Sequence, residues 1–411
     1  MLKEMLTLKA EMILKDKYKS YIYMERYVNN GSPSGYTFIN NTSNETNPFG
    51  MCPHFKLLKL ADADCSHFSI NKNEMIFNGF NFIHPDCALS TMFNKYSMHP
   101  SDFNVIPTAS SRTVFVLDDK EKSFLKLSYS SRLGRSSRQI NLKGAKTSIN
   151  NSDYITEKIL NDELPNFFSI LQEKSAKISI IDFEGSQYEW GTIYRSVNPF
   201  PLSSSKTYMV PAFSLFSKDL FHEDEFLINQ FIINSGIKPK NYLEKIIYII
   251  LVSYWQLLLN CGLVPEMHSQ NCLFEIDENF EIKRIVLRDM EDIDRDLNVI
   301  RKLGINVSGL LMGCYKEYDL NSGDYNYRTS YMYDFKLGEY LLNPIIETVC
   351  GRFNLLPNYF YDFSKKISSK FIKQLPQNYF TDKNIWFSRD VDDAGLSRTK
   401  KYVSNSKPKF R

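Results

Sequence analysis

Six polar side chains crowd one short stretch of this chain. Glu266, His268, Gln270 and Asn271 fall within GLVPEMHSQNCLF, and Arg288 and Asp289 close the run IVLRD. An Asn amide oxygen and an Asp carboxylate are hard oxygen donors of the kind Mg2+ prefers, while His268 and Arg288 carry N–H donors suited to phosphate oxygens. A hydrogen-bonded loop that merely caps a helix is the plainer use of the same residues. Burying so many polar groups at one place without a ligand is costly, however, so the pattern points to a site that handles nucleotide phosphates.

A second cluster lies upstream. Ser110, Ser111, Arg112 and Thr113 are followed by Lys126 and then by Arg132, Arg135 and Arg138. Alone, these could form a solvated basic face. Beside an Asn and Asp able to hold a dication, they supply what triphosphate and carboxylate substrates both need, because the arginine fork matches both anions. No GxxxxGK[ST] or GxGxxG is present, which excludes the P-loop and Rossmann phosphate cradles; nor is there a GxSxG elbow or a metal-type Cys/His spacing. His84 and His99 each precede a proline, where a histidine is more often a turn residue than a substrate contact.

The elements that must position these groups can be read from the pattern. Two apolar runs in TVFVLDDKEKSFLKL, split by a charged turn at 118–122, predict a hairpin with Lys126 on its second strand. A second hairpin is expected from 272–276 and 282–287 around Asp277, Glu278 and Asn279, and it brings the two ends of the polar stretch together. Further strands are predicted over 178–183 and 192–195, and helices over 220–233, 242–260, 297–303 and 335–350. Residues 29–50 read as a linker after a short helix. The stretch after Asp393, rich in Lys and Arg, reads as a solvated, mobile tail.

At 411 residues, two or three subdomains are expected rather than one core. A 43% hydrophobic and 24% charged composition belongs to a folded, soluble chain, and a net charge of +3 gives no general field for nucleic acid. Seven scattered cysteines without a CxxC pair, and first residues lacking an apolar leader, predict reduced thiols and a cytoplasmic location. On that reading the sequons at Asn41 and Asn44 carry no glycan. Residues 246–263 lack any charge, yet Gln256 and Asn260, the helix stop at Gly262 and Pro265 after it predict a buried core helix, not a membrane span.

Taken in order, HP at His84, ASSRTV, Lys126, Arg138, ExHxQN and RD resemble the siderophore synthetases that work independently of nonribosomal peptide synthetases, the aerobactin-synthetase type. The resemblance runs over residues 84–289 and is most specific in GLVPEMHSQNCLF and VLRD. It implies an α+β fold of hand-like, multi-subdomain architecture, with mostly antiparallel sheets flanked by helices. A thumb-like region would span 1–82, shorter than usual, a fingers-like region 83–215, a palm-like region 216–392 and a basic tail 393–411.

The resemblance also implies cofactors and roles. ATP would be held by Ser110, Arg112, Thr113, Lys126, His268, Gln270, Asn271 and Asp289, and Mg2+ by Asn271 and Asp289. The catalytic set would be Lys126, His268 and Arg112; substrate would meet Arg138, Arg195, His84 and Glu266. The implied activity is ATP-dependent adenylation of a carboxylic acid such as citrate, then condensation with an amine or alcohol, with no nucleic-acid or membrane partner and a homodimer left open. Two positions depart from the family: His84-Pro85-Asp86-Cys87 stands where HPWQ is usual, and Gly134 where a Thr is usual. The shorter N-terminal region and the changed HPWQ motif motivate one rival, a non-catalytic ligand-binding descendant. The other is a small-molecule kinase of the aminoglycoside-phosphotransferase type, against which Gln270 stands where a catalytic Asp is required.

Overall fold

The computed structural model describes residues 10–29, 43–52, 54–71, 79–88, 90–117, 122–133, 136–221, 225–306, 317–318, 324–389, 399–405 and 408–411. Two sheets carry the architecture. The larger has six antiparallel strands in the order His67–Ile70, Glu173–Phe183, Ser186–Ser196, Ser123–Leu127, Thr113–Leu117 and Asn104–Pro107. Ser123–Leu127 is buried along its whole length, as expected of an interior strand. The predicted first hairpin is thus present, with Thr113 opposite Lys126. Most of its turn lies outside the described residues, as do Gly134, Arg135 and the Arg132 side chain.

The smaller sheet runs Phe168–Ile170, Ile282–Leu287, Cys272–Ile276, Tyr208–Pro211, with only the first pair parallel. Its central hairpin matches the second prediction. Cys272 faces Leu287, and the Arg288 amide donates to the Asn271 carbonyl at 2.9 Å, so both polar clusters stand at one mouth.

Behind this sheet lies the apolar helix Pro239–Cys261. It is long and apolar enough to cross a membrane, but Ile246, Ile250, Tyr254, Trp255 and Leu258 are enclosed in the largest core cluster, as predicted. Gly262 ends it at φ 68°, with Ile300 so close that a Cβ there would lie 2.2 Å from Ile300 Cγ1. Only glycine meets both demands at that position.

The helix Leu297–Leu303 falls where expected; that over 220–233 begins later, at Leu227–Ser235. The predicted helix over 335–350 is a π-helical run, Tyr331–Leu342, that passes into the α-helix Asn343–Phe353. Residues 30–42 of the expected linker lie outside the described residues. The six described cysteines are all unpaired.

The expectation of a wholly solvated tail is corrected. Phe410 is 1% exposed and Arg411 pairs with the buried Asp334 and the exposed Asp382, so this end finds an acidic partner fixed in the core. Residues 390–398 lie outside the described set.

Candidate active site

Lys126 sits at the centre of an ion-pair cluster joining the two sheets. Its side chain is 1% exposed, and Nζ donates both to Asp289 Oδ1 and, at 3.0 Å, to Glu291 Oε2. Asp289 leaves the end of Ile282–Leu287 at φ 71°, a left-handed conformation that Asp tolerates better than most residues, and opens the short turn Met290–Asp292. That turn brings Asp289 and Glu291 to one lysine. Burial works against the Lys126 charge, but the two carboxylates outweigh it and hold the ammonium above the ordinary lysine range. Burial likewise opposes the Asp289 charge; Lys126, then Arg195 and Arg112, reverse it and keep the carboxyl far below its usual range.

Around this pair the other predicted cations converge. Arg195 donates through Nε to Glu173 Oε1 at 3.0 Å and lies 3.9 Å from Asp289 Oδ1. Arg112 is buried and donates to the Arg138 carbonyl at 3.1 Å; burial and then the like charge of Arg138 lower its pKa, while Glu291, Asp289 and Asp292 act the other way. Ser110 Oγ accepts from the Thr113 amide at 3.2 Å, and Ser111 takes φ 61°, which folds the SxRT turn tightly against the first strand of its hairpin.

The loop 266–271 leads into the strand paired with the one that runs into Arg288 and Asp289. Asn271 Nδ2 donates to the Glu266 carbonyl at 3.2 Å, which leaves Oδ1 as its acceptor atom. His268 Nε2 lies 3.5 Å from Glu266 Oε2, and its Nδ1 is buried without a hydrogen-bond partner among the described residues. Lys336 Nζ meets Glu266 Oε1 at 2.6 Å; burial opposes the Glu266 charge, but Lys336 and then His268 hold it well below the carboxylate range. Arg288, expected to face phosphate, turns inward instead. It donates to the Gln270 carbonyl at 2.7 Å, to the Tyr21 hydroxyl at 2.8 Å and to Glu25. Glu25 is fully buried and also accepts from the Ala109 amide at 3.2 Å, so one carboxylate ties the SxRT turn to the hairpin mouth.

The sequence matches no protein-family model and no curated protein. Its fold is nevertheless shared with solved structures. ATP-bound aerobactin synthetase IucA from a hypervirulent pathotype of Klebsiella pneumoniae aligns with a TM-score of 0.69 at 11% identity, covering 96% of this chain and 80% of that one. Aerobactin synthetase IucC from the same source aligns at 0.69 and 14% identity, covering 91% and 73%. Petrobactin biosynthesis protein AsbB from Bacillus anthracis str. Sterne gives 0.64 and 15%, covering 87% and 68%. This chain has the siderophore-synthetase fold.

Within that fold the predicted residues separate into two groups. Lys126, Arg112, Arg195 and Asp289 share one electrostatic cluster, with Arg138 against Arg112, and Glu266, His268 and Asn271 share one loop. His84 stands apart from both roles. It is fully buried, its ring packs edge-on against Phe55 and Tyr129, and its Nδ1 accepts from the Asp86 amide at 3.3 Å. Burial pushes its pKa down to about 4 against the pull of Asp86, so it is neutral at pH 7. The departure from HPWQ is itself structural: Asp86 accepts from Thr46 at 2.5 Å and from the Tyr129 hydroxyl at 2.8 Å.

Four residues at the site escaped the sequence reading: Glu25, Glu173, Glu291 and Lys336. Glu291 follows Asp289 closely in RDMED and was the one visible candidate; the other three are far from either motif. The described residues contain no group of three or more His, Cys, Asp or Glu able to cage a metal. The oxygens of Asp289, Glu291 and Asn271 nevertheless suit Mg2+, which binds through one or two carboxylates plus substrate phosphates and seldom through a cage made wholly of protein.

Proposed function

We propose that this protein is an ATP-dependent ligase that activates a carboxylic acid, citrate being the first acid to test, as an acyl-adenylate, and condenses it with an amine or alcohol in siderophore or related biosynthesis. The observation that carries the reading is the convergence of Lys126, Arg112 and Arg195 from the larger sheet on Asp289 and Glu291 from the hairpin mouth. This is a dense set of fixed charges at a place where Asp289 and Glu291 stay partly open. ATP-bound IucA has the same fold, which supports the nucleotide. In this reading five strands of the larger sheet belong to the fingers and the hairpin 272–287 with its helices to the palm of a hand-like enzyme, while Phe168–Ile170 and Tyr208–Pro211 reach from the fingers range into the palm sheet.

The chemistry asks for no covalent protein nucleophile. A carboxylate oxygen attacks the α-phosphorus, the bond to the bridging oxygen breaks and pyrophosphate leaves. An amine or hydroxyl then attacks the acyl carbon, loses its proton and releases AMP. What the chain supplies is position and charge. Lys126 and Arg112 offset the growing charge at phosphorus, Arg138 holds the acid, and His268 with Gln270 orients the phosphates. Asp289 and Asn271, with Glu291, would hold Mg2+, which screens phosphate charge when bound.

The test is acid-dependent release of pyrophosphate and AMP from Mg-ATP, with citrate as the first acid. Asp289→Ala should abolish it while leaving the fold intact by circular dichroism. Release at the wild-type rate in that variant, or ADP as the product, would overturn the assignment.

A further inference from the structure

Residues 408–411 and the loop 266–269 grip the same helical run. Arg411 Nε and Nη2 meet the Asp334 carboxylate at 2.9 and 3.0 Å, and Nη2 also donates to the Thr381 carbonyl at 2.8 Å. Asp334 is buried and further held by Asn405 Nδ2 at 2.8 Å. The Phe410 carbonyl accepts from the Tyr333 hydroxyl at 3.1 Å, and its ring lies so close to Gly338 that a Cβ there would stand 2.9 Å from Cδ2. Lys336 and Tyr340 are two residues out of phase with Asp334 and Gly338, hence on the opposite face of the run. Lys336 holds Glu266 at 2.6 Å, and the Tyr340 carbonyl accepts from the Ser269 amide at 3.2 Å.

The run between these two grips is π-helical over Tyr331–Leu342. Such winding is rare and, where it occurs, is often found at functional sites. It needs tertiary contacts to persist, and here both faces supply them. A helix free to regain α pitch would carry Lys336 away from Glu266.

We infer that Arg411 is a positioning residue of the active site: by clamping Asp334 it fixes the π-helical run and so seats Lys336 on Glu266 beside His268. Arg411 touches no substrate in this scheme and acts through Lys336. The inference rests on the ligase reading for its kinetic consequence, but its structural consequence is independent of it.

The experiment compares Arg411→Met, Arg411→Lys, Lys336→Met and the Arg411→Met/Lys336→Met double variant in the full chain. Citrate-dependent ATP–pyrophosphate exchange should show kcat reduced on the order of 10²-fold in Arg411→Met, with KM for ATP little changed, because the loss is one of alignment. Arg411→Lys should recover much of it. The double variant should be no worse than Lys336→Met, since residues acting as one unit do not add. Without any substrate, the His268 ring signal at a fixed pH, assigned by its loss in His268→Gln, should change its chemical shift in both single methionine variants. Val105→Ala, which thins the core under the larger sheet, serves as a control for stability lost elsewhere. Three results would each overturn the inference: activity falling only in step with the melting midpoint, as in the control; losses that multiply in the double variant; or an unmoved His268 ring signal. Absence of exchange in the unmodified chain would sink the ligase reading instead, and the position of the His268 ring signal would still decide the clamp.

Discussion

Glu25 shows how one residue can secure a site without belonging to its chemistry. It is fully buried in the helix Lys17–Tyr27, and it faces Arg288, Tyr21 and the Ala109 amide together. Replacing it by glutamine keeps the shape and removes the counter-charge of a buried guanidinium. Breaking a buried pair by removing one partner costs about 3–5 kcal/mol, far more than the pair contributes relative to an apolar substitute. Glu25→Gln is therefore expected to lower the denaturant midpoint sharply, and Glu25→Gln with Arg288→Met should recover part of the loss. Equal midpoints for the single variant and the unmodified chain would refute the tie. Asp289 differs in kind. Its partner Lys126 is enclosed, but Asp289 itself keeps an open edge, so a ligand can compete for it.

Among the elements, the helix Leu297–Leu303 carries a pH dependence of its own. Asp296 caps it, accepting from the Asn298 and Val299 amides at 3.0 Å, and also accepts from the Tyr325 hydroxyl. Burial outweighs these bonds and pushes its pKa up to about 6. A carboxyl raised on folding favours the native state most at low pH, and that advantage is lost as pH rises through 6. Between pH 7 and pH 5, the unmodified chain should gain about 1 kcal/mol relative to Asp296→Asn, which can still cap the helix. Glu266, Asp289 and Glu291 act in the opposite sense: their lowered pKa values give stability that is present above the ordinary carboxylate range and lost on acidification. Chemical denaturation of both chains at the two pH values isolates the Asp296 effect, since those three groups are common to both.

The elements also show where reading by pattern failed. Both hairpins and the core helix were legible because alternation, turn residues and a glycine stop are local signals. The helix Leu142–Leu160 was not. Leu142, Ala145, Ile149 and Ile155 do recur at helical spacing, but its inward face also includes Ser148, Asn151 and Ser152, which bond Glu173, the Met290 carbonyl and the Glu173 amide and thin the apolar stripe. That helix nonetheless braces the site: a Cβ on Gly144 in its first turn would lie 2.5 Å from Glu291 Oε1, so the carboxylate rests against its positive end. The π-helical winding of Tyr331–Leu342 was equally hidden, since its side chains have ordinary helical character and only its neighbours impose the pitch.

At the scale of the whole molecule, the site is a seam between two sheets, and a ligand there should stabilise both. Mg-ATP at about a hundredfold over its dissociation constant would add about 2.7 kcal/mol to unfolding. A thermal shift with Mg-ATP is expected in the unmodified chain and should vanish in Lys126→Met; a shift of the same size in that variant would place the nucleotide elsewhere.

The sequence by itself determined the local pieces: the two hairpins, the buried apolar helix, the polar mouth from Glu266 to Asp289 and a motif order whose implied fold the solved structures share. Only the tertiary structure decided the partners. Lys126 meets Asp289 across 163 residues and Arg288 meets Glu25 across 263, while Arg411 closes on Asp334 across 77. Hydrophobic periodicity reports which face of an element is buried, and turn chemistry reports where it ends. Neither signal records which distant charge will neutralise which, because that choice is made by desolvation when the two sheets come together.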